Sequence, residues 1–150
     1  MHKGKFLWGG LFALLSLFIT AEVFAQADVI EKRQNLMKGN SAATKAIKAA
    51  VETKDYATVE AKAREIMGNA EKIVDLFPKG STQGKTKAKA EIWEKFDDFK
   101  KNPVNLRKAA SELADAAKAK DDEAVTVKVK ALGDVCGACH KANRAEKYSE

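Results

Sequence analysis

Two cysteines and a histidine lie together near the end of this 150-residue chain, in the order Cys136-x-x-Cys139-His140. Two thiols three residues apart can each add to one vinyl group of a single haem, and the neighbouring imidazole can bind its iron. On a helix the three residues share one face. The spacing therefore predicts one haem c, attached covalently through Cys136 and Cys139, with His140 as an iron ligand.

Three other chemistries use closely spaced cysteines, and each lacks something in this chain. A thioredoxin-like redox pair needs a strand-helix-strand setting, which the helical pattern described below does not supply. A disulfide in a purely structural protein would close a very short loop and restrain almost nothing. A zinc site needs a fourth ligand, and residues 26–150 contain no further Cys or His.

The first 25 residues are typical of a secretory signal peptide. Lys3 and Lys5 come before an uncharged run from Phe6 to Ala21, and small residues then offer cleavage before Gln26 or before Asp28. Attachment of haem c takes place outside the cytoplasm, so the leader and the cysteine motif support each other. We therefore expect the protein to work in the periplasm of a bacterium.

An uncleaved membrane anchor is the alternative to this leader. The uncharged run is shorter than the roughly 20 apolar residues of a spanning helix, and Glu22 closes it. We expect residues 1–25 to be removed and residues 26–150 to form one haem domain with no membrane span. Loss of Lys3, Lys5 and Glu22 lowers the formal net charge from +6 to +5.

Apolar and small residues recur every three or four positions after the leader, which predicts an all-α chain. The expected segments run from Asp28 to about Thr53, from the Asp55 cap to Phe77, from Ile92 to Ala117, and from Asp121 to Ala142. Short turns predict an antiparallel up-down four-helix bundle. The connection from Pro78 to about Lys89 is longer and rich in Gly, Ser, Thr and Lys.

Two places leave the helix pattern less regular. At Asn102-Pro103, either a new helix begins after an Asn cap or a long helix kinks before Leu106, and the sequence leaves both alternatives open. Residues 125–129 alternate like a strand, but a lone strand has nothing to pair with. We therefore predict helix there.

The other side of the iron needs a ligand that is not histidine. Met37 and Met67 are the only methionines in residues 26–150, and a thioether can bind haem iron. Each also fits as a core-filling residue on its helix. The residue types leave Met37, Met67 and an open or sterically blocked site as alternatives.

With its motif near the C-terminus, the chain resembles the cytochrome c′ family, the class II c-type cytochromes. Similar segments are Ile30-Glu31-Lys32-Arg33-Gln34-Asn35-Leu36-Met37, Asp75 to Ser81, and Lys85 to Trp93. The resemblance covers nearly all of residues 26–150 and implies a four-helix bundle with covalent haem. It is closest to the low-spin branch, which implies that Met37 is the sixth iron ligand.

The same resemblance implies roles for two arginines. Arg33 is expected beside a haem propionate, where a guanidinium stabilises the ionised carboxylate. Arg144 is expected near the imidazole or a propionate. Asn143 departs from the family, which commonly has Tyr or Phe there, and this implies looser packing beside His140. Tyr148, the next aromatic residue, lies farther along the chain than the position where the family has its Tyr or Phe.

Two functions follow from the resemblance. A low-spin iron suits a monohaem carrier of single electrons that is not an enzyme. If Met37 does not bind, a high-spin haem protein that takes up nitric oxide or carbon monoxide, for sensing or detoxification, is implied.

For the electron carrier, the basic chain favours acidic redox proteins as partners, although two propionates reduce its charge to about +3. No nucleic-acid partner is expected, since the sequence has no basic block. Family members often dimerise through their first two helices. The alanine-rich faces at Ala42-Ala43 and Ala61-Ala63 fit a homodimer, and they fit packing within the chain equally well.

Overall fold

Helices form most of the structure, and four of them are long. The computed structural model describes residues 9–82 and 84–148, with side chains from residue 27 onward. The helices are α1 (Gly9–Glu52), α2 (Tyr56–Lys72), α3 (Glu91–Glu94), α4 (Phe96–Lys118) and α5 (Asp122–Asn143), with a 3-10 turn at Val74–Leu76. The side chains of the expected leader lie outside the described residues, so its cleavage stays a prediction.

The four long helices form a bundle around a common core. α1 packs against α2, α2 against α4, α4 against α5, and α5 against α1. Connections of three residues join α1 to α2 and α4 to α5, and such short turns make neighbouring helices antiparallel. The prediction of an all-α four-helix bundle is confirmed.

The turns that follow α1 and α4 have the same backbone conformation and the same type of helix cap. Lys54 and Lys120 both have a φ of 55°, the left-handed conformation that turns the chain out of a helix. The side chains of Asp55 and Asp121 then accept a hydrogen bond from the backbone N–H three residues on, at 3.1 and 2.9 Å. Both aspartates cap the next helix; the sequence predicts the cap at Asp55 and, at Asp121, the start of the last segment.

Small and medium-sized side chains fill most of the core, together with Phe77 and Phe99. The largest fully buried ones include Ile47, Ile66, Ile92, Leu113 and Leu132. Ala43 and Ala63 are also buried, whereas Ala42 and Ala61 are exposed. The two alanine-rich faces considered for a dimer are thus divided between the core and the surface.

The third predicted segment breaks at Lys95 and not at Asn102-Pro103. Lys95 has φ −120° and ψ 46°, which separates α3 from α4, and α4 runs through Pro103. A proline inside a helix leaves the carbonyl four residues earlier without its backbone donor. Here the Asn102 side-chain amide donates to the Phe99 carbonyl at 3.0 Å and replaces that donor. The alternative of a new helix at Pro103 is therefore wrong.

Other boundaries differ by smaller amounts. α1 begins at Gly9 rather than at Asp28, and α2 ends at Lys72 because a 3-10 turn follows it. Residues 125–129 are helical, as predicted. In the described part of the chain, no helix is both long and apolar enough to cross a membrane.

Replacing Asn102 with Ala is expected to lower the free energy of unfolding by about 1 kcal/mol, because the carbonyl of buried Phe99 loses its donor. Asn105→Ala is the matched control, since Asn105 is exposed on the same helix. Denaturant unfolding followed by Trp93 fluorescence measures both variants. In a Pro103→Ala background, the backbone N–H of residue 103 can itself donate to the Phe99 carbonyl. The Asn102 substitution should therefore lower the free energy of unfolding by less in that background. Equal losses of free energy in the two backgrounds would contradict this role for Asn102.

Candidate haem site

A cavity of about 690 Å³ lies between the helices. α5 contributes Cys136, Cys139 and His140 to its wall, and α1 contributes Met37. Its volume falls in the range of about 300–1,000 Å³ that is usual for cofactor sites. The structure thus brings the four expected haem and iron contacts together around one cavity.

The core positions the cysteine motif through the preceding turns of α5. Val125 and Leu132 are buried in the bundle and hold that helix in place. Positions 136, 139 and 140 then follow on one face, because three or four residues make one helical turn. The last two turns of α5 therefore carry Cys136, Cys139 and His140 to the cavity.

The three side chains of the motif are uncharged near neutral pH. Both thiols are free and half-buried, and burial raises the pKa of Cys136 and of Cys139. Burial, helped by the nearby positive charge of Arg144, lowers the pKa of His140. A neutral imidazole keeps the nitrogen lone pair with which histidine binds metals.

Of the two methionines in residues 26–150, Met37 lines the cavity and Met67 does not. Met67 is partly buried and packs against the core. The arrangement therefore favours Met37 as an iron ligand and Met67 as a packing residue.

Arg33 lines the same cavity as a buried cation, only 3% exposed. Its guanidinium donates to the Ser81 carbonyl at 2.8 Å and to the hydroxyls of Ser81 and Thr86 at 3.3 and 3.2 Å. The guanidinium carbon lies 4.8 Å from the ring centre of Phe77 and 5.7 Å from that of Trp93. Together these groups replace much of the water that the charge has lost.

No carboxylate of the described residues lies within 4 Å of the Arg33 guanidinium. Burial without an anion lowers the pKa of Arg33. Buried charges are normally paired with an opposite charge. The cavity therefore holds a cation that fits an acidic group of a ligand.

Residues 85–90, here called the clasp, connect the two helices that carry the expected iron ligands. On the α1 side, the Gln34 amide donates to the Lys85 carbonyl at 2.8 Å. Arg33 donates to the Thr86 hydroxyl on the same side. The sequence predicts only a loop here, because these bonds join residues about fifty positions apart.

On the α5 side, the clasp binds the end of the last helix. The Lys89 backbone N–H donates to the Asn143 carbonyl at 3.0 Å, and Ala88 forms an antiparallel bridge with Arg144. The Lys89 ammonium also donates to two carbonyls in the last turn of α5, at 3.2 and 3.3 Å. Since His140 lies one turn from that end, the clasp fixes the helix that positions it.

Asn143 makes a contact that the aromatic residues common in the family could not make. Its side-chain amide donates to the Cys139 carbonyl at 2.9 Å and lies 3.8 Å from the Cys139 sulfur. The predicted departure from the family therefore places a hydrogen bond beside the motif. Arg144, the other residue singled out there, is exposed and lines the cavity.

A helical bundle whose cavity carries two thiols beside a neutral imidazole has the features of a c-type haem protein. Residues 28–144 match the family model of cytochrome c′. A cytochrome c-556 of Agrobacterium tumefaciens is 38% identical over 124 residues, which cover 81% of this chain and 100% of the relative. The cytochrome c′ of Rhodospirillum rubrum is 34% identical over 139 residues, 89% of this chain and 93% of the relative.

Solved structures show the same fold. Cytochrome c′ from Thermochromatium tepidum has a TM-score of 0.75 at 29% identity, over 81% of this chain and 97% of that one. A cytochrome c′ with ligand-controlled dimer dissociation has a TM-score of 0.76, also at 29% identity and over the same shares of both chains. The chain belongs to the cytochrome c′ family, whose cofactor is a covalently attached haem c with its iron.

Proposed function

We propose that this protein carries single electrons, with one haem c linked by thioethers to Cys136 and Cys139 and its iron bound by His140 and Met37. The supporting observation is that these four side chains, from α5 and α1, line one cavity of about 690 Å³. When bound, the haem supplies the one-electron chemistry of its iron. The protein attaches the haem, orients it and limits its contact with water.

The proposed ligand pair suits electron transfer. The lowered pKa of His140 keeps its imidazole free to bind iron. The thioether of Met37 raises the reduction potential relative to a second imidazole. Because neither oxidation state gains or loses a ligand, little has to rearrange when the electron moves. Such a carrier transforms no substrate, so we assign no catalytic residue.

Arg33 gives independent support for a haem in this cavity. Its guanidinium is buried and has no carboxylate among the described residues within 4 Å. A haem propionate is an acidic group of the kind that this cation lacks. We assign Arg33 to a propionate and the exposed Arg144 to the surroundings of His140, whose pKa it lowers.

Replacing Met37 with Ala is expected to turn a sharp low-spin spectrum of the ferrous protein into a high-spin spectrum that responds at once to carbon monoxide. The reason is the loss of the sixth ligand. Met67→Ala is the matched control. It should lower the free energy of unfolding by about 2–3 kcal/mol and leave the absorption spectrum of the haem unchanged.

The same spectra test the alternative function. A wild-type protein that is high-spin, or that binds carbon monoxide immediately, would instead indicate a haem protein for nitric oxide or carbon monoxide. An unchanged spectrum in Met37→Ala would remove Met37 from the ligand set. Normal covalent haem content in Cys136→Ala would contradict the proposed attachment.

Replacing Arg33 with Met is expected to raise the pKa of the neighbouring propionate by about one unit or more, since a nearby cation stabilises the ionised carboxylate. The reduction potential should then change with pH over a higher pH range, which potentiometric titration measures. Arg144→Met removes an exposed charge and should shift that range less, because solvent screens it. Equal shifts in the two variants would refute the pairing of Arg33 with a propionate.

We also propose that the protein is exported and that its leader is removed. The basic start, the short apolar run and the small residues before Gln26 and Asp28 support this. Protein purified from the periplasm should begin at one of these two residues, as N-terminal sequencing would show. A chain that keeps Met1 and fractionates with membranes would establish the uncleaved anchor instead.

The proposed partners are acidic redox proteins and a second copy of the chain. The net charge of +5 that remains without the leader, about +3 with two ionised propionates, supports the former. The exposed Ala42 and Ala61 leave small residues at the surface of α1 and α2, where a second bundle can approach closely. Sedimentation velocity would distinguish a homodimer from a monomer.

A further inference from the structure

The charges of this protein are distributed unevenly around the cavity. Among the described residues, no Asp or Glu lines the cavity. Six cationic side chains do: Arg33, Lys38, Lys45, Lys48, Lys87 and Arg144. None of these six takes part in any of the ten ion pairs of the described residues. Most of those pairs join residues one turn apart on a helix, where opposite charges cancel locally. The border of the cavity is therefore far more positive than the net charge suggests.

Three of the six cations form what we call the lysine stripe: Lys38, Lys45 and Lys48, all on α1. Their spacings of seven and three residues place them on one side of the helix, and all three are exposed. At 1.5 Å per residue the stripe is about 15 Å long. It begins next to Met37, and the following acidic residue, Glu52, makes no ion pair with Lys48.

A bound haem would not neutralise this region. Its two propionates offset at most two of the six positive charges, and the buried Arg33 is suited to one of them. The lysine stripe is left in solvent without a carboxylate of the described residues within 4 Å. Neighbouring like charges repel one another and oppose folding, so the stripe does not serve the stability of the bundle.

We propose that the lysine stripe is the docking surface for the acidic face of an electron-transfer protein, which exchanges its electron on the Met37 side of the cavity. This inference rests on the proposed function. Lysines are flexible point charges that accept many orientations of a partner. They suit brief encounters with small interfaces, as electron-transfer complexes have. The positive stripe steers such a partner to the cavity and raises the association rate.

The experiment uses flavodoxin, an acidic electron-transfer protein, as the probe. In each encounter a flavodoxin hydroquinone loses one electron and the ferric iron of the haem-loaded protein gains it. Stopped-flow absorbance gives the second-order rate constant at an ionic strength of about 10 mM, where surface charges are weakly screened. The K38Q/K45Q/K48Q variant is expected to lower this rate constant about tenfold. At about 0.5 M salt the difference should fall below about twofold.

The control variant K62Q/K101Q/K130Q removes the same number of positive charges, three, from other lysines. These lysines are ion-paired and do not line the cavity. Its rate constant should fall clearly less than that of the stripe variant, because these three lysines do not line the cavity and act on a partner docked there from farther away. Equal rate constants for the two triple variants would overturn the docking surface.

Other polyanions provide a second way to overturn it. The wild type could bind phosphatidylglycerol vesicles or an oligonucleotide at about 0.15 M salt, while the flavodoxin rate constants do not depend on the stripe. That result would show that the lysines bind a membrane or a nucleic acid and not a redox protein. Absorption spectra separate this result from failure of the proposed function. A low-spin haem with stripe-independent rates contradicts only the docking surface, whereas a wild-type protein without covalent haem contradicts electron carriage itself.

Discussion

The buried guanidinium of Arg33 holds the irregular part of this chain against the bundle, and the shape of the cavity depends on it. A charge this deep must be solvated by protein atoms, so the chain between α2 and α4 folds around it. Ser81 and Thr86 supply oxygens, and Phe77 and Trp93 supply ring faces. The Trp93 indole N–H in turn donates to the Phe77 carbonyl at 3.2 Å, which fixes the rings that cover the cation.

This network continues to the other side of the cavity through the clasp. Thr86 accepts from Arg33 on α1, and Lys89, three residues later, holds the end of α5. Met37 and His140 belong to different helices, and this short path of hydrogen bonds relates their positions. For the proposed pair of iron ligands, a fixed separation is what a low reorganisation energy requires. The loop that seemed only a connection in the sequence therefore supports the proposed electron transfer directly.

Features that depend on neighbouring residues were predictable from the sequence. A few consecutive residues are enough to recognise the caps at Asp55 and Asp121 and the five-residue haem motif. The continuity of α4 through Pro103 was not predictable, because a side-chain amide replaces the missing backbone donor. The hydrogen bond between Arg33 and Ser81 was not predictable either, because the two residues are 48 positions apart in the sequence. The resemblance to cytochrome c′ implies that Arg33 lies beside a haem propionate, but only the structure shows how its charge is solvated.

Net charge is a poor guide to the field at the proposed haem. Within a Debye length of about 8–10 Å, local cations matter, and the cavity border has no carboxylate among its described residues. Reduction would lower the positive charge of a bound haem iron by one, so these cations would stabilise the ferrous state. In the proposed docking, an acidic partner against the lysine stripe would offset them and favour the ferric state. By reciprocity of linked equilibria, that partner would bind the ferric protein more tightly than the ferrous one. An acidic donor would therefore be held before it gives its electron and released more readily afterwards.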